Sequence, residues 1–81
     1  MSSVTERLRA VVARTFRMPI EQIDDATTPA AVATWDSLGQ MDLVTALEQE
    51  FSVAFGLGEI MLMNSVGEIR SILERRNGAQ G

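Results

Sequence analysis

The 81-residue chain has no histidine and no cysteine, so the side chains left for chemistry are carboxylates, seven arginines and a few hydroxyls. One hydroxyl is set apart by its neighbours. In Trp35-Asp36-Ser37-Leu38-Gly39-Gln40-Met41-Asp42-Leu43-Val44-Thr45-Ala46-Leu47-Glu48-Gln49-Glu50-Phe51 a turn opens straight into an amphipathic helix. Asp36 is a good N-cap, because its carboxylate can accept from the free N–H groups of the first turn and its charge suits the positive end of the helix dipole. Ser37 then occupies the first helical position, on rigid backbone near solvent, with its hydroxyl turned from the core. The chain offers no histidine to activate it.

The same composition removes disulfides, thiolate nucleophiles, the usual zinc ligands and the usual general base. A self-contained enzyme is not expected, and no catalytic residue is assigned. Nor is a metal site, since Asp24-Asp25 lack the glycine and terminal glutamate that a calcium loop needs.

At 100° per residue Leu43, Leu47, Phe51, Val44 and Met41 share one broad sector, as a helix packed on a core requires. Asp42, Thr45, Ala46, Gln49 and Glu50 face the other way, with Glu48 on the flank. Leu38 stands among these polar groups. An apolar side chain beside the serine and ringed by carboxylates is a docking pattern. Gln40 projects towards the apolar side and is the residue that fits least.

Holding the serine takes a helical frame. Ser3-Val4-Thr5-Glu6 is a capping box that starts a first helix with Val4, Leu8, Val11, Val12 and Phe16 inward and Arg7, Arg14 and Arg17 in solvent. Pro19 disfavours helix at Met18. Pro19 to Trp35 is a long connection of the Ω-loop kind, pinned to the core by Ile20 and Ile23. Trp35 fixes its end by packing, with the indole N–H expected at the surface. After the serine helix, Val53 and Phe55 act as core plugs in an extended link, and a short helix forms around Glu59 to Met63. Ser65-Val66-Gly67-Glu68 caps a last helix that buries Val66, Ile69, Ile72 and Leu73 and stops at Asn77-Gly78. The expectation is an all-α fold: a small four-helix bundle, three main helices plus one short helix, with a long loop between the first two. Residues 1–77 form the domain and 78–81 a flexible tail.

Charge is unevenly spread. Residues 1–18 carry four Arg against one Glu, residues 19–60 carry eight acids and no base, and residues 61–81 carry three Arg against two Glu, which sums to the net charge of -4. The acidic middle would steer basic partners and repel nucleic acid and anionic membrane. No apolar run approaches the roughly 20 residues that span a bilayer, and no signal-peptide plan opens the chain. A cytoplasmic monomer with no nucleic-acid partner and no membrane insertion is the expectation.

Asp36-Ser37-Leu38, followed in unbroken register by Asp42, Leu43, Leu47, Glu48, Glu50 and Phe51 in a small acidic chain, resembles the acyl carrier proteins. The resemblance implies that Ser37 bears a covalent 4′-phosphopantetheine arm installed by a phosphopantetheinyl transferase. It also implies that Asp36, Leu38, Asp42, Glu48 and Glu50 meet basic docking surfaces of acyl-loading, condensing or transferring enzymes in fatty-acid, polyketide or related biosynthesis. Gly39 and Gln49 stand where typical fatty-acid-synthesis carriers have acids, Thr45 replaces an apolar residue, and Trp35 replaces a small one. These departures point to a specialised carrier in place of a housekeeping one. An aminoacyl or peptidyl carrier is the alternative within this class. An unmodified acidic helical adaptor is the alternative outside it.

Overall fold

The structure, a computed structural model, describes the backbone of residues 3–80 and the side chains of 3–76. Four helices follow in order: α1 (Val4–Phe16), α2 (Ser37–Phe51), α3 (Leu57–Met61) and α4 (Val66–Gln80). Among the described residues there is no strand, so the all-helical bundle of three main helices and one short one stands as expected. None of these helices is long and apolar enough to cross a membrane.

Local chemistry sets the helix ends. Ser3 and Glu6 make the reciprocal capping box of α1, with the Glu6 N–H donating to Ser3 Oγ at 3.1 Å. Both α1 and α2 end on a left-handed residue that is not glycine, Arg17 at φ 55° and Ser52 at φ 54°. That conformation costs an L-residue about 1–2 kcal/mol, and here it is held by cap hydrogen bonds back to Ala13 and Glu48. The short helix, Leu57–Met61, sits two residues earlier than the sequence suggests, because Gly56 is its N-cap and the Glu59 carboxylate accepts the Gly56 N–H at 3.1 Å. In α4, Ser65 Oγ accepts the Glu68 N–H, and the helical backbone continues past Asn77-Gly78 to Gln80. Gly81 lies outside the described residues.

α1 packs on α2 and α4, and the side chains between them are almost wholly shut from water: Leu8, Val11, Val12, Leu43, Leu47, Ile69, Ile72 and Leu73. Removing apolar area of this kind from water is the main stabilising term in so small a bundle. The long loop is not loose. Two 3-10 turns, Ile20–Gln22 and Pro29–Ala31, tighten it, and Ile23, Val32 and Trp35 are buried. Ile20, expected as a second pin, is exposed. Its carbonyl and that of Ile23 instead accept hydrogen bonds from Arg9, at 2.9 and 2.8 Å. The loop also caps α4, where the Val66 and Gly67 N–H groups donate to Thr27 and Asp25 carbonyls at 2.9 Å each.

Three of the eight acids in the middle of the chain are paired with arginines from its two ends: Asp25 with Arg70, Glu50 with Arg7 and Glu59 with Arg76. Arg7, expected in solvent, lies partly buried over the Phe51 ring at 4.5 Å. The Arg76 guanidinium, helped by the Gly56 N–H, holds the Glu59 carboxyl below its ordinary range. A carboxylate whose pKa is depressed by folding contributes stability above its unfolded pKa, and that contribution is lost as pH falls through the folded value. In urea titrations, the stability gap between the wild type and Glu59→Gln is therefore expected to be constant above the ordinary carboxylate range and to close on acidification below it.

Candidate functional site

The loop before α2 is fastened to that helix at its first turn. Asp36 is extended and caps the helix, its Oδ1 accepting the Gly39 N–H at 2.9 Å. Thr34 passes so close to Gly39 that a Cβ at position 39 would stand 2.0 Å from the Thr34 carbonyl oxygen and 3.1 Å from the Phe16 ring. No side chain fits there without moving backbone. This is the physical reason that an acid is missing from position 39.

Trp35 drives the same fastening. It is 3% exposed and stacks on Phe16 with ring centroids 5.4 Å apart, an arrangement worth about 0.5–1.5 kcal/mol beyond the area it buries. Its indole N–H is not at the surface, as the sequence suggests, but donates to Gln40 Oε1 at 2.6 Å. Gln40 Nε2 in turn donates to the Ile60 carbonyl of α3 at 3.1 Å. The residue that fits the helix pattern least is the polar bridge between the loop, α2 and α3. Both ends of a buried amide need partners, and a glutamine on an apolar helix face next to the only tryptophan is the signal that could have found them.

Ser37 sits at the head of α2, exposed, between exposed Asp36 and Leu38. Leu38 is 78% exposed, the most open of the large apolar side chains among the described residues. Asp42 is exposed and has no ion pair among the described residues. Beside Ser37 lies an open groove of about 460 Å³, bordered by Pro29, Trp35, Met41, Ile60 and Met61. Met41, placed by periodicity in the core sector, is 53% exposed and borders this groove instead.

The two acids further along α2 are engaged elsewhere. Glu48 is half-buried and its Oε2 accepts the Phe55 N–H at 2.9 Å, which turns the chain after α2. Glu50 is held by Arg7, which bonds both its Oε2, at 3.0 Å, and its backbone carbonyl, at 2.7 Å. The structure thus brings together Asp36, Ser37, Leu38 and Asp42 at one end of α2, and gives Glu48 and Glu50 internal partners. Among the described residues no group of carboxylates is arranged to hold a metal ion.

The family model for the phosphopantetheine attachment site matches residues 6–73. The chain belongs to that family. No curated protein matches the chain. Domains of this carrier family hold covalently attached 4′-phosphopantetheine and are not themselves catalytic. The residues present suit such a group: an exposed serine hydroxyl stands on a rigid helix start, with solvent on one side and a mostly apolar groove on the other. The flexible thioethers of Met41 and Met61 border the groove, and such side chains adapt to guests of different shape.

The carrier's helix start depends on the bare Cα at position 39. Gly39→Ala would raise intrinsic helix propensity by about 1 kcal/mol, yet overpacking against backbone costs about 1–3 kcal/mol. A net loss of up to about 2 kcal/mol is expected, read as a lower urea midpoint with an unchanged slope.

Proposed function

We propose that Ser37 is the attachment residue and that the protein is an acyl carrier for a dedicated biosynthetic pathway. The observation that carries this reading is the exposed serine at a capped helix start, beside an open groove, in a chain matched by the phosphopantetheine attachment family over residues 6–73. Asp36 fixes the backbone that presents the hydroxyl, through its bond to the Gly39 N–H. A phosphopantetheinyl transferase supplies base and Mg²⁺, which suits a chain with no histidine to activate the serine. The hydroxyl attacks the pyrophosphate of coenzyme A, forming the Ser37 phosphodiester and releasing the adenosine bisphosphate half. Once attached, the arm supplies a terminal thiol on which acyl groups are held as thioesters.

Docking follows from what α2 leaves free. Asp36 and Asp42 supply the long-range attraction for basic partner surfaces, and Leu38 fills a small apolar pocket. Glu48 and Glu50 add to the field from the far end of the helix while their internal bonds hold them in place. Weak, fast, reversible docking suits a carrier that visits several enzymes, and tethering raises the cargo's effective concentration at each. The transferase and acyl-processing enzymes are the partners, in the cytoplasm.

In intact-mass measurements with coenzyme A, Mg²⁺ and a promiscuous transferase, one phosphopantetheine adduct is expected on the wild type and none on Ser37→Ala. No adduct on the folded wild type with several transferases would leave the unmodified adaptor as the reading. A second arm addresses docking. Asp42→Arg is expected to slow loading by about ten-fold at low salt and to flatten its salt dependence, as screening of a steering charge requires; an unchanged rate and slope would remove Asp42 from the docking surface.

A further inference from the structure

Gln40 is the only α2 side chain, among the described residues, with a hydrogen bond to α3. The bond lies at the seam where the groove beside Ser37 meets the interior. On the groove side Met41 and Met61 are more than half exposed, at 53% and 69%. Behind them Met63, 1% exposed, and Trp35, 3% exposed, close the floor of the groove, with Gln40 between them and the opening. The second polar tether of α3, Glu59 to Arg76, holds it to α4 and does not touch this seam.

We infer that Gln40 is a specificity-determining residue of the carrier: by joining Trp35 to Ile60 it keeps the α2–α3 seam closed, so an aliphatic group tethered at Ser37 lies in the open groove and is kept out of the core. The inference rests on the carrier reading above. Its physical basis is the pairing of two groups by one amide. A hydrocarbon passing inward between α2 and α3 would part Gln40 from Trp35 Nε1–H, from the Ile60 carbonyl, or from both. Each would then face an apolar chain with no partner, which is far less favourable than leaving the bond made. The open groove asks for no such loss: Gln40 is part of its lining, and a guest that lies against the thioethers, Pro29 and Ile60 leaves both Gln40 bonds made. Cargo with a short apolar segment is therefore accommodated fully, and further methylenes find only solvent.

Two variants separate the halves of the bridge. Gln40→Glu keeps an acceptor for Trp35 but cannot donate to Ile60. Gln40→Met, close in size, can do neither. In the unmodified protein, amide exchange at Leu62 and Met63, whose N–H groups bond within the α3 turn, is expected to quicken about ten-fold in both variants, while Val11 and Leu47 stay protected. The Trp35 indole N–H should stay protected in Gln40→Glu and exchange about ten-fold faster in Gln40→Met. A folded Gln40→Met with unchanged exchange at all three positions would overturn the bridge.

The cargo arm loads Ser37 by transferase with four-carbon or twelve-carbon acyl groups from the corresponding acyl-coenzyme A. Wild-type Tm should be the same for both chains, whereas Gln40→Met should gain about 4 °C or more from the longer one, the scale expected when added burial stabilises a domain of this size. A wild type that gains as much as Gln40→Met would overturn the exclusion. No loading of the folded wild type would strike the carrier reading itself, and the exchange arm, which needs no modification, would still decide the bridge.

Discussion

The structure turns on the close approach of the Thr34 carbonyl to the bare Cα of Gly39. That contact lets the long loop lie directly on the first turn of α2. Trp35 can then sink against Phe16, and Asp36 can reach the Gly39 N–H. Ser37 is left as the first helical residue, exposed on backbone that is fixed from both sides. A side chain at position 39 would lift the loop and blur this arrangement. Rigidity at Ser37 and freedom beyond it are what its proposed role as the attachment point needs, and both follow from one missing Cβ.

Electrostatics divides along the same helix. The acidic middle of the chain looks in sequence like one uninterrupted negative field, but folding brings Arg7, Arg70 and Arg76 onto Glu50, Asp25 and Glu59. Ion pairs at exposed positions add little stability individually. Their larger effect is on where charge is left unpaired. Among the described residues Asp36 and Asp42 remain without an arginine, as do Glu21, Asp24 and Glu48, and the two aspartates flank Ser37 and Leu38 at the end of α2 that carries the serine. The partly neutralised far end, with Glu48 turned to the Phe55 N–H, serves the chain's own turn into α3.

Most of the frame was legible in the sequence because it rests on local rules. Capping at Ser3, Asp36 and Ser65, and helical spacing at Leu8, Val11, Val12, Leu43 and Leu47, placed the three long helices. Ser37 and its neighbours could be singled out for the same reason, since a cap and a helix register are local. What the sequence hid was set by long-range partners. Gln40 looked misplaced because both of its partners lie off its own helix, one five residues back in the loop and one twenty residues on. Trp35 was expected to show its N–H to water for want of a visible acceptor. Arg7 looked like part of a solvated face, yet it clamps Glu50, and Arg9 clamps the loop carbonyls. Periodicity reports which face an element buries; it does not report which polar groups find each other across the fold.

The central claim is that Ser37, and no other hydroxyl, receives the prosthetic arm. Fragment-ion mapping of the wild-type chain after incubation with coenzyme A, Mg²⁺ and a promiscuous transferase tests it most directly. The account predicts a single phosphopantetheine on Ser37 and unmodified serines at 2, 3, 52, 65 and 71. An adduct on any of those serines, or a folded chain that several transferases leave unmodified, would contradict it.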